Sequence, residues 1–291
     1  MYKAIIIYIL ITFTTNCYSQ EKQIGTTPLE NKFKTQKKGK FYFYWGWNKA
    51  QYSYSDIRFK GDNYNFTLFD VAAQDRQTGW DPSVYLNPGN MTIPQTVARV
   101  GYYFHDNWNL SLGVDHMKYV VDQNQTVVAS GFINGTGTRY DGNYDNSPVV
   151  IEPGFLELEH TDGLNYVNLE IRKHTQLMKF GKFDLNGQLG GGFGGYYPKT
   201  DASLLNFERN DHWHWAGFGI HFVSGLNLTF LQRLFIQTEF KGGYINLPDI
   251  KTTSRSGDGA KQKFIFSQIN ILFGGIINLN TKKKNTQSSE T

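Results

Sequence analysis

The chain has 291 residues, an aromatic content of 16%, a mean hydropathy of −0.46 and a formal net charge of +4 at pH 7. A charge this small, with no basic segment interleaved with aromatic residues, excludes a nucleic-acid partner from our expectations. A chain that is rich in aromatic residues yet hydrophilic on average is typical of alternating apolar and polar residues rather than apolar blocks.

The N-terminus predicts a secretory signal peptide over residues 1–19. Lys3 supplies the positive start, an apolar run follows, and Cys17 and Ser19 are the small residues at positions −3 and −1 of the cleavage site. The apolar run is shorter than the ~18 residues of a membrane-crossing helix. Cys17 is the only cysteine, so we expect no disulfide in the mature chain; a lipoprotein acylated at Cys17 is the alternative. Residues 20–39 are expected to form a basic periplasmic lead.

Eight segments between residues 40 and 280 alternate apolar residues with polar residues or glycine. This period of two is typical of β-strands with two chemically different faces. Each segment has about ten residues, the length that a tilted strand needs to cross a bilayer. The segments are residues 40–48, 96–104, 108–115, 165–173, 183–197, 215–230, 234–244 and 263–275.

The connections between these segments predict how they are joined. Short polar links at 105–107 and 231–233 alternate with long ones at 61–93, 123–163, 198–211 and 248–261. An even number of strands with short turns at one end and long loops at the other indicates an outer-membrane barrel. We therefore predict an all-β fold: an eight-stranded antiparallel transmembrane β-barrel over residues 40–280, with short periplasmic turns, long extracellular loops and a polar periplasmic tail at 281–291. A soluble β-sandwich, which also alternates, is the competing fold.

A glycine-rich stretch at 183–197 contains Gly190-x-Gly192-x-x-Gly195, the spacing of a dinucleotide-binding turn. That turn requires a helix after it, and the residues that follow show no helical period. We therefore interpret the stretch as a strand, in which glycine makes room inside a narrow barrel opposite Arg172 or Lys241.

The predicted inward faces carry equal numbers of cations and anions. An unpaired charge in a low-dielectric interior is costly, so we predict an ion-pair network that fills the lumen. The alternative is that some of these charges lie at the rim, where water solvates them. The predicted network consists of Arg99, Asp115, Glu170, Arg172, Glu239 and Lys241.

Two His–carboxylate pairs are weak candidates for acid–base catalysis. His116 follows Asp115, and His160 lies two residues before Asp162. Such pairs near the loop ends of strands suit a surface enzyme, and His160-Thr161-Asp162 faintly resembles the His–Ser site of outer-membrane lipid A deacylases. Asp162 stands where the nucleophilic serine would be.

The motif "HWHW" is a weak candidate for metal binding. His212 and His214 would share one face of an extended strand. The more ordinary interpretation assigns Trp213 and Trp215 to the interfacial aromatic girdle of a barrel, with the histidines as polar neighbours. We expect no bound metal and no cofactor.

The layout resembles small eight-stranded outer-membrane proteins of the OmpA/OmpX/OmpW type. More closely, the chain is similar to an uncharacterised outer-membrane β-barrel family of Bacteroidota, through the motifs "SDIRFKG", "NPGNMTIPQ", "GVDHMKYV", "HTDGLNYV", "NLPDI" and "AKQKFIF". The resemblance covers nearly all of the mature chain. It implies the fold and a bacterial outer-membrane location after export, and it implies no activity.

The sequence thus favours a non-enzymatic outer-membrane protein that serves surface contact or envelope integrity. Its expected partners are outer-membrane lipids and lipopolysaccharide, with a possible surface ligand at the loops, and the expected state is a monomer. One alternative is a lipid A-modifying hydrolase, which needs His116 or His160 beside a hydroxyl and a carboxylate at the bilayer edge. A second is an OmpW-like conduit for small hydrophobic molecules, which needs an apolar lumen mouth and a lateral gap.

Overall fold

The computed structural model describes residues 36–87, 89, 93–210 and 212–279. The predicted signal peptide, most of the basic lead and the polar tail lie outside the described residues, so their boundaries stay predictions. Within the described part of the chain, no helix has both the length and the apolar character needed to span a membrane.

The described residues form one antiparallel sheet of fourteen strands and one short helix. The all-β antiparallel prediction is therefore confirmed, and the sheet contains more strands than the eight that the sequence indicated. The elements are β1 (Phe41–Tyr52), β2 (Ser55–Lys60), β3 (Tyr64–Val71), β4 (Ala73–Gln74), α1 (Pro82–Tyr85), β5 (Thr96–His105), β6 (Trp108–Val121), β7 (Thr126–Ile133), β8 (Gly142–Val150), β9 (Leu156–Phe180), β10 (Phe183–Tyr196), β11 (Asp201–Leu204), β12 (Gly217–Phe230), β13 (Leu234–Ile250) and β14 (Gly259–Ile277).

Eight of the strands pair in a circuit. The order is β1-β5-β6-β9-β10-β12-β13-β14, and β14 also pairs with β1, from Phe41 opposite Ile277 to Tyr52 opposite Phe266. Each strand of this set, which we call the circuit, thus has a partner on both sides. These are also the strands that contain the eight alternating segments of the sequence.

Tight turns join several neighbouring strands of the circuit at one end. β5 ends at His105 and β6 begins at Trp108, which leaves two residues for the turn, as the short link predicted. Gly181 has φ 57° in the β9–β10 turn, and Leu231 and Gln232 both have positive φ in the β12–β13 turn. Left-handed conformations at both central residues match the right-handed twist of the strands that such a turn connects.

The other end of the circuit carries a β-structured extension, which consists of β2, β3, β7 and β8. Gly259–Gln262 of β14 pair with Lys60–Ile57 of β2, and the pairing continues to β3, β7 and β8. The connections predicted as long loops at 61–93 and 123–163 therefore contain strands. The first of them continues the sheet beyond the circuit, a question that the sequence left open.

The outward faces of the circuit strands are apolar and exposed. Val100 is 60% exposed, Ile220 58% and Ile269 62%, although each lies within a strand that is paired on both sides. Together these outward faces form one contiguous apolar surface. It is far larger than the apolar patches found on soluble monomers. The two stacked sheets of a β-sandwich would have buried this face.

The interior changes in character along the circuit. Near the tight turns lies an aromatic cluster that includes Tyr42, Tyr103 and Phe235. At the opposite end the circuit shares a large apolar core with the extension, with Phe66 and Phe155 among its members. Charged side chains lie between these two clusters.

The glycine-rich stretch is a continuous strand, β10, as interpreted from the sequence. Gly190 lies opposite Arg172, and a Cβ at Gly190 would come within 2.8 Å of Arg172 Cγ. The expectation of a glycine opposite Lys241 is wrong, because Val223 and Gln268 are its cross-strand neighbours. Glycine therefore makes room for the larger guanidinium group, whereas the slimmer lysine fits between ordinary side chains.

Candidate functional site

The six charged residues named from the sequence lie together inside the circuit, with Glu170 at the centre. Glu170 Oε1 is 2.6 Å from Arg99 Nη2 and 2.9 Å from Lys241 Nζ. Its Oε2 accepts from Arg172 Nε at 2.6 Å, and His221 Nε2 lies 2.9 Å from Oε1. One carboxylate thus faces three cations and an imidazole.

Asp115 and Glu239 supply the other two negative charges of this group of six residues, which we call the charge cluster. Asp115 contacts Lys241 and lies 3.6 Å from Arg99 Nη2, while Glu239 contacts Arg172. All six charged side chains are at most 1% exposed. Removal of these charges from water is offset only where each charge has good partners. The three cations balance the three anions, although Arg99 Nε and Asp115 Oδ1 make no hydrogen bond among the described residues.

Neutral side chains complete the cluster. Arg172 donates to Tyr44 Oη at 2.9 Å and to Gln188 Oε1 at 3.2 Å. Asn270 Nδ2 donates to Glu239 Oε2 at 3.1 Å. Sequence reasoning did not assign these residues or His221 to a site. The signal was present, since each one lies on the inward face by the same period of two that identified the charges.

A lysine from the predicted periplasmic lead lies at the turn end of the interior. Lys37 is 4% exposed, donates its backbone N–H to Asp106 at 3.0 Å and lies over the Tyr103 ring at 5.5 Å. Burial lowers the pKa of Lys37 to about 8, against the opposing effect of Asp184. Lys37 therefore packs into the turn end of the interior instead of lying in solvent.

The first catalytic candidate does not form a His–carboxylate pair. Asp115 belongs to the charge cluster, whereas His116 Nδ1 lies 2.8 Å from Asn165 Oδ1. Adjacent residues of a strand point to opposite faces. Asp115 and His116 are neighbours in the sequence, but their side chains therefore lie in different environments.

The second candidate is also separated. His160 lies on the part of β9 beyond the exposed apolar face, is fully buried, and has Nδ1 3.1 Å from Thr200 Oγ1. Burial lowers the pKa of His160 to about 4. Asp162 instead accepts from Lys199 Nζ at 2.7 Å. A fully buried neutral imidazole beside a threonine is inaccessible to a lipid substrate.

The metal candidates do not converge on one point. His214 Nε2 lies 2.8 Å from Asp249 Oδ2, while His212 is exposed. Across the residues that the structure describes, no group of three or more His, Cys, Asp or Glu side chains is placed to hold a metal ion. The Asp–His contact is a surface interaction between the 212–216 segment and β13.

Aromatic side chains surround the circuit where it meets the extension. The Trp47 ring lies 5.8 Å from Tyr85 of α1, and Tyr85 lies 4.9 Å from Trp80, which is 69% exposed. Tryptophan and tyrosine concentrate at membrane–water interfaces, because their rings combine an apolar body with a polar atom. A second such group consists of Tyr197, Trp213 and Trp215.

No protein-family model and no curated protein matches the chain. Among solved structures, it is similar to the outer membrane protein OprG from Pseudomonas aeruginosa, with 11% identity and a TM-score of 0.39 over 84% of this chain and 99% of that one. It is also similar to the outer membrane protein AlkL, solved by solid-state NMR in lipid bilayers, with 11% identity and a TM-score of 0.40 over 90% of this chain and 99% of that one. The attachment invasion locus protein Ail of Yersinia pestis matches with 11% identity and a TM-score of 0.33 over 82% and 99%.

Proposed function

We propose that the circuit is a closed eight-stranded barrel in a bacterial outer membrane and that its interior does not conduct. The protein is non-enzymatic, and the barrel carries the β-structured extension outside the cell for surface contact. The observation that supports this most directly is the division of the circuit strands. The circuit strands expose apolar outward faces and bury inward faces that carry the charge cluster between two groups of aromatic and apolar side chains.

The dimensions of the exposed face fit a bilayer. On β14 the outward apolar residues run from Ile265 to Ile277. At about 3.3 Å per residue and a tilt of roughly 40–45°, this run spans about 29 Å along the barrel axis. A hydrocarbon core is ~30 Å thick, so lipid can cover the face from one end to the other.

The interior favours a filled barrel over a conduit. The charge cluster occupies the middle, and Tyr119, Tyr166 and Tyr196 are fully buried on the side of the extension. A path for small hydrophobic molecules through the length of the interior would have to pass desolvated arginine and glutamate side chains, which cost free energy once their partners are displaced. A lateral exit would need a gap between strands, and each circuit strand is paired on both sides. The packing therefore disfavours the OmpW-like alternative, and the buried position of His160 disfavours the lipid A hydrolase.

The orientation follows from the connections. Barrels of this class have short periplasmic turns and longer extracellular loops. The tight turns between β5 and β6 and between β12 and β13 would then face the periplasm, together with Lys37. The extension, with the apolar core that it shares with the circuit, would face outward and present the Gly- and Thr-rich turn between β7 and β8.

A planar-bilayer experiment tests the non-conducting barrel. The full-length protein is reconstituted, its insertion is verified by co-flotation with vesicles, and its conductance is recorded. We expect co-flotation and no channel conductance above the lipid baseline, and incubation with lipopolysaccharide should leave the lipid A acyl chains intact by mass spectrometry. Stable single-channel steps, acyl loss, or solubility of the folded protein without detergent would each contradict the proposal.

A further inference from the structure

The outward face of the sheet becomes basic directly beyond the apolar surface. Along β14, Ile265 is followed on the same face by Lys263 and Lys261. Lys261 pairs across the strands with Arg58 of β2, and Lys60 follows Arg58 on the same outward face. All four cations are exposed, and we call them the basic strip.

The basic strip begins at the level of the lipid headgroups if the apolar face lies in hydrocarbon. Residues on one face of a strand are two apart, which corresponds to a rise of about 7 Å along the strand. Lys263 is therefore the first side chain past Ile265, and Lys261 is the next. Arg58 and Lys60 continue the strip away from the bilayer on the neighbouring strand.

The charges of the basic strip are not neutralised by the protein. Among the described residues, none of its four members forms an ion pair with a carboxylate. Within the described part of the chain, the Arg58 side chain donates hydrogen bonds only to the neutral Asn65 Oδ1, at 3.3 Å. Of the acids nearby, Asp258 pairs with Arg255 at 2.9 Å, and Asp249 is held by Lys251 and His214. Asp56 lies two residues before Arg58 on the same face and accepts from the Asp70 backbone N–H at 3.1 Å.

A groove beside the strip provides space for a ligand. Its volume is about 330 Å³, and it opens between β2 and the β13–β14 connection. Its lining includes the cations Arg58, Lys60, Lys251 and Lys261 together with Asp249 and Asp258. Lys251 pairs with Asp249 and Arg255 pairs with Asp258, so Arg58, Lys60 and Lys261 are the lining cations without an acidic partner among the described residues. Ammonium and guanidinium groups are donors that bind phosphate.

We propose that the basic strip and its groove bind the phosphate groups of a phosphoglycolipid of the outer leaflet, the lipid A portion of lipopolysaccharide. This inference rests on the proposed membrane location, which puts Lys263 and Lys261 beside the outer headgroups. Clustered like charges repel one another when they are unpaired, and the phosphates of an embedded glycolipid supply the missing anions at the required height. The acyl chains of the same molecule would cover the apolar face below Lys263.

The test uses protein already embedded in neutral phosphatidylcholine vesicles, so that membrane insertion and lipid binding are measured separately. The variant is Lys261→Gln with Lys263→Gln. The matched control is Lys182→Gln with Arg233→Gln, which removes two exposed cations from turns at the opposite end. Binding of fluorescent bisphosphorylated lipid A is titrated for the wild-type protein and for both variants, and folding is checked by heat-modifiable gel mobility.

We expect the affinity for lipid A to fall about tenfold in the Lys261/Lys263 variant, a loss of about 1.4 kcal/mol, and to stay within about twofold in the control. Dephosphorylated lipid A should bind the wild-type protein as weakly as lipid A binds the variant, and millimolar inorganic phosphate should not displace the lipid. Equal affinity in both variants, no preference for the phosphorylated lipid, or displacement by free phosphate would overturn the inference. Failure of the wild-type protein to enter vesicles would instead overturn the membrane location.

Discussion

Replacement of Glu170 by glutamine should destabilise the protein far more than the small change in shape suggests. Glu170 contacts all three cations of the charge cluster, and glutamine keeps its size but removes its charge. Arg99, Arg172 and Lys241 would then face only Asp115 and Glu239. The interior would then carry one positive charge without a negative partner, and the buried side chains there cannot be solvated by water.

The magnitude follows from the contacts. Across the 2.9 Å Lys241–Glu170 contact, the gross Coulomb attraction is about 6 kcal/mol at an effective dielectric constant of about 20, and desolvation cancels part of it. Removal of one partner of a buried pair costs about 3–5 kcal/mol. We expect Glu170→Gln to cost this much and Lys241→Met to cost a similar amount.

The double variant separates charge balance from packing. With Glu170→Gln and Lys241→Met combined, Asp115 keeps Arg99 and Glu239 keeps Arg172, so the interior is neutral again. The loss in the double variant should be smaller than the sum of the two single losses by about 0.5–3 kcal/mol. Free energies of unfolding come from urea titrations in detergent micelles, followed by tryptophan fluorescence. Strictly additive losses would refute the reasoning, because the two charges would then act independently.

Two further predictions concern the extension side and β10. The pKa of His160 is lowered from 6.5 to about 4, so the unfolded chain binds a proton that the folded one excludes. The stability that neutral His160 contributes is complete above about pH 6.5 and is lost as the pH falls toward 4. His160→Gln should flatten this part of the plot of urea midpoint against pH. An unchanged plot would contradict the assignment of a lowered pKa to His160. Gly194→Ala should cost about 1–3 kcal/mol, because its Cβ would contact the Val167 carbonyl oxygen and come within 2.6 Å of Asn168 Cα. Gly142→Ala, which meets nothing within 4 Å, is the control and should stay within about 0.5 kcal/mol of wild type; equal melting temperatures for the two variants would show that the clash relaxes.

The faces of the circuit strands could be predicted from the sequence because a single period separates lipid-like from interior surroundings. Phe43, exposed at 51%, and Tyr44, exposed at 2%, are neighbours in the chain with opposite environments. The same rule of alternation shows that Asp115 and His116 cannot share one site.

The partners within the charge cluster could not be predicted, since they depend on strand register. Glu239 and Lys241 lie two residues apart on the same inward face, yet Glu239 contacts Arg172 and Lys241 contacts Asp115 and Glu170. Strand neighbours two residues apart point the same way, whereas residues on facing strands point toward one another across the interior. Only the pairing of distant segments determines which charges meet.

The strands of the extension were missed for a different reason. Tyr64, Phe66 and Leu68 alternate with polar residues and are buried, but the segment is short and lies in an Asn- and Asp-rich region with a loop composition. Its apolar face packs against a second core rather than lipid. The three alternating apolar residues correctly indicated a strand, whereas the composition of the region indicated a loop.

The double pairing of β14 sets an order for folding. β2 is synthesised about 200 residues before Gly259–Gln262, the segment beside which it lies, and contacts so distant in sequence form slowly. Until β14 is synthesised, the β2 edge of the β2–β3 hairpin has no strand to pair with. Loss of β14 would therefore remove the pairing with β1 and leave the β2 edge of the hairpin unpaired. An unpaired strand edge is a template for aggregation.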